Sequence, residues 1–326
     1  SANVSPLGLP QGVANAIAAA LPHADRYPDP LCRALRAKLA PHEGIPAESI
    51  LCGNGAADLI FRLAWAAKPR TALVTAPTFA EYAAALEGAG CAVLRHFLQA
   101  EVDFAVTDSI LSSITPEVDM VFLCQPNNPT GQLTPLPLVE RILRRCEACG
   151  ALLVVDECFL DFLPDCDALT AKALLDSKNL LILKAFTKLY GMAGVRLGYC
   201  LCTNTALLEA MQAAGQPWAV SSLAQAAGLA ALDETAYVAQ VRALIAQQRP
   251  RLTAGLRALG LRVLDGRANY LLFQGPETLG DALRQRSVVL RSCSNYPGLD
   301  GSWYRTAVRT GPENDELLKT LAEVLA

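Results

Sequence analysis

The sequence carries little charge and no excess of positive charge. Only 18% of its 326 residues are Asp, Glu, Lys or Arg, the net charge is −3 and the isoelectric point is near 5.7. Proteins that bind nucleic acids generally present a basic face that neutralises phosphates. The composition therefore gives no electrostatic case for DNA or RNA as a partner.

Metal-binding and disulfide signatures are also missing. The three histidines, His23, His42 and His96, are far apart and form no metal-ligand pattern. The eleven cysteines are odd in number and lack paired spacing, which indicates reduced thiols. Cys146 and Cys149 form one C-x-x-C motif late in a predicted helix, with no second pair at zinc spacing. We expect no metal site.

Long apolar runs and leader sequences are absent as well. No uninterrupted apolar stretch reaches the roughly 20 residues of a transmembrane helix. No secretory signal opens the chain, and no internal repeat or low-complexity linker interrupts it. We therefore expect a cytoplasmic protein.

Apolar segments alternate with helical stretches through most of the chain. This alternation is typical of a doubly wound, mostly parallel α/β sheet. An alanine-rich helical region at 222–259 then precedes a second group of strands. We predict a large domain at residues 26–220 and a smaller α+β domain made of residues 1–25 and 221–326. The predicted strands are 72–75, 92–94, 121–124, 152–155, 180–183, 197–202, 270–273, 288–291 and 304–308.

The most informative segment is 185–199, in which Lys188 lies among apolar, hydroxyl and glycine residues. A lysine that reacts with an aldehyde must be partly unprotonated near pH 7, and a desolvated pocket favours this state. Thr187 and Arg196 offer a hydroxyl and a guanidinium, two donor types that hold a phosphate dianion. The pattern predicts a lysine that binds pyridoxal 5′-phosphate (PLP). The alternatives are a loop lysine without a role, or Lys184 as the reactive lysine.

Three further motifs precede this segment in the order that a PLP site needs. Residues 51–58 open a helix whose free backbone N–H groups could cradle the phosphate, although Asn54 could simply be a helix cap. Asn128 follows a predicted strand and could donate to the phenolate oxygen of PLP, or form an Asx turn. Asp156 ends another strand and could pair with the pyridine nitrogen, or cap a turn.

With these motifs in place, the chain resembles fold-type I PLP enzymes, in the branch of histidinol-phosphate aminotransferases and threonine-phosphate decarboxylases. The resemblance to the decarboxylases is the closer one, and it covers essentially the whole chain. It implies a fold-type I PLP-dependent transferase fold. The segments that carry it are 1–8, 26–29, 78–82, 156–162, 186–199, 216–220, 266–272, 290–300 and 304–305.

The resemblance also implies a role for each site residue. Lys188 would bind PLP covalently, Asp156 would pair with the ring nitrogen, and Tyr82 would stack on the ring. Arg305 would bind the substrate carboxylate and Arg291 the substrate phosphate, each otherwise being a solvated charge. Asn3 would belong to the substrate site, and Tyr27 would reach the phosphate from the other subunit of a homodimer. The remaining cofactor contacts would come from Gly55, Ala56, Asn128, Thr187 and Arg196.

The implied reaction is decarboxylation of L-threonine O-3-phosphate to (R)-1-aminopropan-2-yl phosphate, which supplies the cobalamin nucleotide loop. Phe159 favours this reading, since the aminotransferases of the branch usually have a tyrosine there. Ala185 stands where relatives often have a hydroxyl residue, and related decarboxylases carry an upstream His-Gly-Gly stretch. We assign no role to Arg309. The alternatives are a histidinol-phosphate-type aminotransferase and a non-catalytic binding protein.

Overall fold

The computed structural model describes residues 3–326. The strands are β1 Ile50–Gly53, β2 Thr71–Ala76, β3 Ala92–Phe97, β4 Met120–Cys124, β5 Leu152–Asp156, β6 Leu180–Ala185, β7 Gly198–Leu201, β8 Arg262–Val263, β9 Tyr270–Gln274, β10 Arg291–Ser292 and β11 Trp303–Ala307. The helices are α1 Gln11–Ala20, α2 Arg33–Glu43, α3 Gly55–Ala67, α4 Glu81–Gly88, α5 Ile110–Ser113, α6 Leu136–Cys149, α7 Cys166–Leu169, α8 Phe186–Leu189, α9 Thr205–Ala214, α10 Ser222–Ala231, α11 Thr235–Ala258, α12 Leu279–Arg284 and α13 Gly311–Leu325.

Seven strands form one large sheet in the order β1-β7-β6-β5-β4-β2-β3. Strands β2 to β6 are parallel, and β7 is antiparallel to both of its neighbours, β6 and β1. The predicted mostly parallel, doubly wound sheet is confirmed.

The central strands are apolar throughout because both faces of the sheet are covered. Along β4, Val121 and Leu123 belong to one hydrophobic core, whereas Phe122 and Cys124 belong to the core on the opposite face. Successive side chains of a strand point to opposite faces, so a strand buried on both sides needs a continuous apolar run. This is the pattern that made these strands recognisable in the sequence.

The second sheet is smaller and fully antiparallel, with the order β10-β11-β9-β8. Its core contains Tyr270, Phe273 and Tyr304, which pack with residues of α11 and α13. This is the predicted smaller α+β unit. Helices α1 and α10 contribute Val13 and Ala227 to a core of the large sheet. The predicted division of the chain at residues 25 and 220 stays a prediction.

The structure differs from the sequence prediction mainly at short strands. The prediction did not include β1 and β8. It also gave a strand at 288–291, whereas the structure has only the two-residue strand β10 in this region, paired with β11. Each of these strands is four residues or shorter, which is too short for an alternation pattern to develop. Among residues 3–326, no helix is both long and apolar enough to cross a membrane.

Candidate active site

The functional candidates gather at one edge of the large sheet. Strand β1 runs in the same direction as β2 to β6, because β7 is antiparallel to both β1 and β6. The carboxyl ends of these strands therefore lead to a common edge, where open α/β sheets bind ligands. A cavity of about 290 Å³ lies there. Residues that line it include Ala56, Phe79, Asn128, Asp156, Thr187, Lys188 and Arg196.

Lys188 lies in α8, directly after β6, with its side chain half-buried in the cavity. Its ammonium group is 5.2 Å from the centre of the Phe159 ring. Burial lowers the pKa of Lys188, and the positive charges of Arg305 and Arg196 lower it further, against the opposing effect of Cys158 and Asp156. A lysine with a lowered pKa has a larger fraction of nucleophilic amine at neutral pH.

The rival candidate, Lys184, occupies a different environment. Its ammonium group lies 2.9 Å from Oδ1 of Asp161 and 3.8 Å from Oε1 of Glu43. Burial opposes protonation, but the carboxylates of Asp161, Glu43 and Glu157 outweigh it and raise the pKa of Lys184. Lys184 is therefore held as a charged structural lysine, in the wall of a separate cavity.

The amino end of α3 forms one end of the cavity together with Arg196. Gly55 has φ +79°, and a Cβ atom at this position would lie 2.7 Å from Nη2 of Arg196. A Cβ at Gly198 would lie 2.6 Å from the backbone nitrogen of Ala56. The two glycines thus allow the guanidinium group and β7 to approach the first turn of the helix. This end suits a phosphate, because it has the free backbone N–H groups of the first turn of α3 and the side chains of Thr187 and Arg196.

Asn54 precedes α3 but does not cap it through its side chain. Its backbone nitrogen instead donates to Oδ2 of Asp58, at 2.8 Å. The alternative reading of this segment as a side-chain-capped helix start is therefore wrong. The N–H groups of the first turn remain available to a ligand.

Asp156 also lines the cavity, at the tip of β5. Its Oδ1 accepts a hydrogen bond from the backbone nitrogen of Cys158 at 3.0 Å, and its Oδ2 accepts one from the hydroxyl of Tyr82 at 2.5 Å. The side chain is 6% exposed. A carboxylate fixed in this way suits a protonated ring nitrogen.

The predicted stacking of Tyr82 on the cofactor ring is wrong. Tyr82 is fully buried, and its ring stacks on Phe122 with centroids 4.8 Å apart. Its position in the first turn of α4 turns it towards the core. Phe79, which precedes α4, lines the cavity, as does Phe159. Phe79 and Tyr82 both lie within residues 78–82. Which of the two rings faces the cavity depends on where α4 begins.

Asn128 is joined to the small sheet by Arg305. Nη1 of Arg305 donates to Oδ1 of Asn128 and to the hydroxyl of Tyr296, the latter at 3.4 Å. A guanidinium group can only donate, so Nδ2 of Asn128 is the atom left to donate to a ligand. The local turn contacts come from Asn127 instead, whose Nδ2 donates to Thr130 at 2.9 Å. The Asx-turn alternative for Asn128 is not what the structure shows.

Arg305 is 8% exposed, and its guanidinium lies 5.5 Å from the centre of the Tyr270 ring. Its Nε is buried and has no hydrogen-bond partner in the structure. Buried donors are normally paired, so this unsatisfied N–H is suited to an anionic ligand. Arg291, by contrast, is only half-buried, and its Nη2 donates to Oδ1 of Asn295 at 3.1 Å.

Six of the predicted site residues do not line the cavity: Gly55, Tyr82, Arg291, Arg305, Asn3 and Tyr27. Asn3 is buried with both side-chain polar atoms unpartnered, and its backbone oxygen accepts from Nδ2 of Asn269 at 3.4 Å. The same N-terminal segment lies beside Lys188, because the Ser5 nitrogen donates to the Lys188 oxygen at 2.9 Å. Tyr27 is 80% exposed and stacks on Trp218, with centroids 4.5 Å apart.

Arg309 has a structural explanation. Its Nη2 lies 2.7 Å from Oε1 of Glu313, the residue that also completes the capping box of α13 with Thr310.

The eleven cysteines are free thiols. Within the described part of the chain, no group of three or more His, Cys, Asp or Glu residues is placed to hold a metal ion.

The residues present fit PLP. The cavity is lined by phosphate donors, a fixed carboxylate, an amine with a lowered pKa and aromatic side chains. The unpaired Nε of Arg305 provides a donor for a carboxylate. The arrangement can therefore hold an aldehyde cofactor and an anionic amino acid together.

Comparisons with known proteins agree with this assignment. A sequence model of the family described as aminotransferase class I and II matches residues 1–322. The threonine-phosphate decarboxylase of Salmonella typhimurium is 39% identical, over 100% of this chain and 90% of that protein. A histidinol-phosphate aminotransferase of Desulfitobacterium hafniense is 35% identical, over 99% of this chain and 91% of that protein. The crystal structure of the Sinorhizobium meliloti histidinol-phosphate aminotransferase in complex with PLP has a TM-score of 0.87 at 26% identity, covering 100% of this chain and 89% of that one.

Proposed function

Because the chain belongs to the aminotransferase class I and II family and is a PLP-dependent enzyme, we propose that it decarboxylates L-threonine O-3-phosphate. The observation that carries the proposal is the position of two arginines, Arg305 and Arg291, which are direct cross-strand neighbours. Two cationic groups on adjacent strands suit a substrate that has both a carboxylate and a phosphate. The similarity to the Salmonella decarboxylase supports the same substrate class.

Bound PLP supplies an electron sink for the electrons of the bond that is broken at the substrate Cα. Asp156 would hold a proton on the ring nitrogen, and Nδ2 of Asn128 would donate to the phenolate oxygen. Ala56, Thr187 and Arg196 would bind the phosphate, with Gly55 allowing Arg196 to come close. Phe79, rather than Tyr82, would form the aromatic wall.

The choice of bond depends on how the substrate is oriented. Decarboxylation needs the bond from Cα to the carboxylate perpendicular to the cofactor ring, whereas transamination needs the Cα–H bond there. Fixing one orientation requires at least two anchors, which Arg305 and Arg291 would provide. A strong hold on the leaving carboxylate would stabilise the ground state, so Arg305 acts as an orienting residue. Lys188, in its ammonium form, would then deliver a proton to Cα and become the neutral amine.

Phe159 also favours decarboxylation over transamination. Its ring packs edge-to-face on Tyr270 and lies 5.2 Å from the Lys188 ammonium. A phenylalanine cannot donate a hydrogen bond to the phenolate oxygen, as a tyrosine would. The product, (R)-1-aminopropan-2-yl phosphate, would supply the aminopropanol linker of the cobalamin nucleotide loop.

The enzyme would act as a homodimer with a shared active site. Tyr27 is 80% exposed and lies outside the lining of its own cavity. With Trp218, on which it stacks, Tyr27 forms an exposed aromatic pair, and aromatic residues are enriched at protein interfaces. Tyr27 would reach the cofactor phosphate of the second subunit.

The second candidate is a histidinol-phosphate-type aminotransferase, which the 35% identity to the Desulfitobacterium enzyme favours. The two activities are distinguished by their products. The PLP-loaded enzyme incubated with threonine phosphate should yield 1-aminopropan-2-yl phosphate, detected by mass spectrometry, and leave the cofactor in its aldehyde form. An aminotransferase would instead convert the cofactor to its amine form with glutamate or histidinol phosphate, and would release no aminopropyl product.

A further inference from the structure

The hydroxyl of Tyr82 makes one of the shortest contacts of the active site without facing the cavity. It donates to Oδ2 of Asp156 at 2.5 Å. Burial raises the pKa of Tyr82, and the negative charge of Asp156 raises it further. The phenol therefore stays protonated and is a permanent hydrogen-bond donor to the carboxylate.

The ring of Tyr82 is fixed by aromatic contacts on two sides. It stacks on Phe122 at 4.8 Å with an interplanar angle of 20°, and it meets Phe79 edge-to-face at 5.5 Å. Aromatic packing of this kind allows few ring orientations. Tyr82 thus contacts both Phe79, a residue in the wall of the cavity, and the carboxylate of Asp156.

We infer that Tyr82 is a positioning residue that keeps the proton of the cofactor's pyridine nitrogen on the nitrogen rather than on Asp156. This inference rests on the proposed pairing of Asp156 with that nitrogen. The carboxylate accepts hydrogen bonds on both oxygens, from the Cys158 nitrogen on Oδ1 and from Tyr82 on Oδ2. Each bond stabilises the negative charge of the carboxylate, which is the form that pairs with a protonated ring nitrogen. Without the hydroxyl, Asp156 would draw the proton towards itself.

The arrangement also fixes the direction in which the carboxylate points. With Oδ1 held by the backbone of the following turn and Oδ2 by Tyr82, the plane of the carboxylate cannot rotate without losing a hydrogen bond. Lone pairs not used by these two bonds remain for the ring nitrogen. Tyr82 would thus act on Asp156 as an outer-shell hydrogen-bond partner acts on a metal ligand, by fixing its orientation.

The test compares Tyr82→Phe with Tyr304→Phe in the PLP-loaded enzyme. Tyr304 is a matched control because its buried hydroxyl also makes hydrogen bonds, to the Pro276 and Glu277 oxygens, but belongs to the small sheet. With PLP labelled with ¹⁵N in the ring, NMR reports protonation of the nitrogen directly. We expect the resonance in Tyr82→Phe to move towards that of unprotonated pyridine, and the dissociation constant of PLP to rise about tenfold. Tyr304→Phe should change neither.

A third variant keeps the test decisive if Tyr82→Phe folds poorly. Replacement of Tyr82 by 3-fluorotyrosine retains the ring and strengthens the hydroxyl as a donor, so the ¹⁵N resonance should move in the opposite direction. A nitrogen resonance that stays at the wild-type position in Tyr82→Phe and in the fluorotyrosine protein would overturn the inference. These measurements need no substrate, so they are independent of whether threonine phosphate is decarboxylated.

Discussion

Arg291 and Arg305 are direct cross-strand neighbours on β10 and β11, and both contact Tyr296. The Arg291 guanidinium lies 5.7 Å from the centre of the Tyr296 ring, and Nη1 of Arg305 lies 3.4 Å from its hydroxyl. Arg305 is buried beside Asn128, whereas Arg291 is only half-buried. In the proposed function, the pair would offer an inner and an outer site for two anionic groups of one substrate.

Replacing the outer arginine should affect phosphorylated substrates selectively. We expect Arg291→Ala to lower kcat/KM for threonine phosphate by about 10- to 100-fold, the effect of a lost charge-assisted hydrogen bond. Threonine itself, which lacks the phosphate, should lose little. Steady-state kinetics with both substrates measures this. Equal losses for the two substrates would remove Arg291 from the phosphate site.

The cofactor should be attached to Lys188 and to no other lysine. Borohydride reduction of the PLP-loaded protein, followed by peptide mapping, should locate the cofactor on Lys188. Lys188→Ala should lose this adduct, because its amine is the one with a lowered pKa in the cavity. Lys184→Arg is the control, since it keeps a positive charge beside Asp161 and Glu43 and should retain the adduct. An adduct that survives in Lys188→Ala would contradict the assignment.

A methyl group at residue 55 should weaken PLP binding through Arg196. Gly55→Ala places a Cβ 2.7 Å from Nη2 of Arg196 and also strains the backbone, where φ is +79°. Gly44→Ala is the matched control, because Gly44 has φ +73° but no atom within 4 Å of its Cβ position. Both variants should lose about 1 kcal/mol of unfolding free energy. Only Gly55→Ala should raise the dissociation constant of PLP, by about tenfold or more.

Titration calorimetry with PLP and chemical denaturation measure the two effects separately. Equal cofactor affinities of the two glycine variants would show that the close approach of Arg196 to Gly55 does not contribute to phosphate binding.

Glu157 should make the stability of the protein depend on pH. Burial raises the pKa of Glu157 to about 7, although Lys184 and hydrogen bonds from Ala171 and Thr170 act in the opposite direction. Below about pH 4.5 the carboxyl is protonated in both the folded and the unfolded states, so it does not lower the unfolding free energy. As the pH rises towards 7, only the unfolded state loses the proton readily, and the folded state becomes less stable.

We therefore expect the unfolding free energy of the wild type to fall relative to that of Glu157→Gln between about pH 4.5 and 7. The relative change should be about 3 kcal/mol, since one pKa unit corresponds to about 1.4 kcal/mol. Urea denaturation of both proteins across this range provides the measurement. Parallel curves would show that Glu157 is not protonated in the folded protein at neutral pH.

The large sheet was predictable because its strands are buried on both faces and read as continuous apolar runs, as in β4. The positions of Asn128 and Asp156 followed from the rule that ligands bind at the carboxyl ends of such strands, and Lys188 was predicted from the residue types around it. Strands β8 and β10 consist of two residues each, and a pair of residues carries no periodic signal.

The role of Tyr82 could not be predicted from the sequence, because it depends on where α4 begins. Helix boundaries are the least certain part of a sequence-based prediction. A start at Glu81 turns Tyr82 into the core and leaves Phe79 at the cavity. The ion pairs of Lys184 could not be predicted from the sequence either, since Glu43 and Asp161 are distant from it in the chain.

Release of CO₂ tests the central claim most directly. The PLP-loaded protein is incubated with threonine phosphate labelled in the carboxyl carbon, beside reactions with glutamate and histidinol phosphate as amino donors. The account predicts rapid release of labelled CO₂ at every turnover and no lasting conversion of the cofactor to its amine form. No labelled CO₂, together with conversion of the cofactor by the amino donors, would contradict it and make the enzyme an aminotransferase.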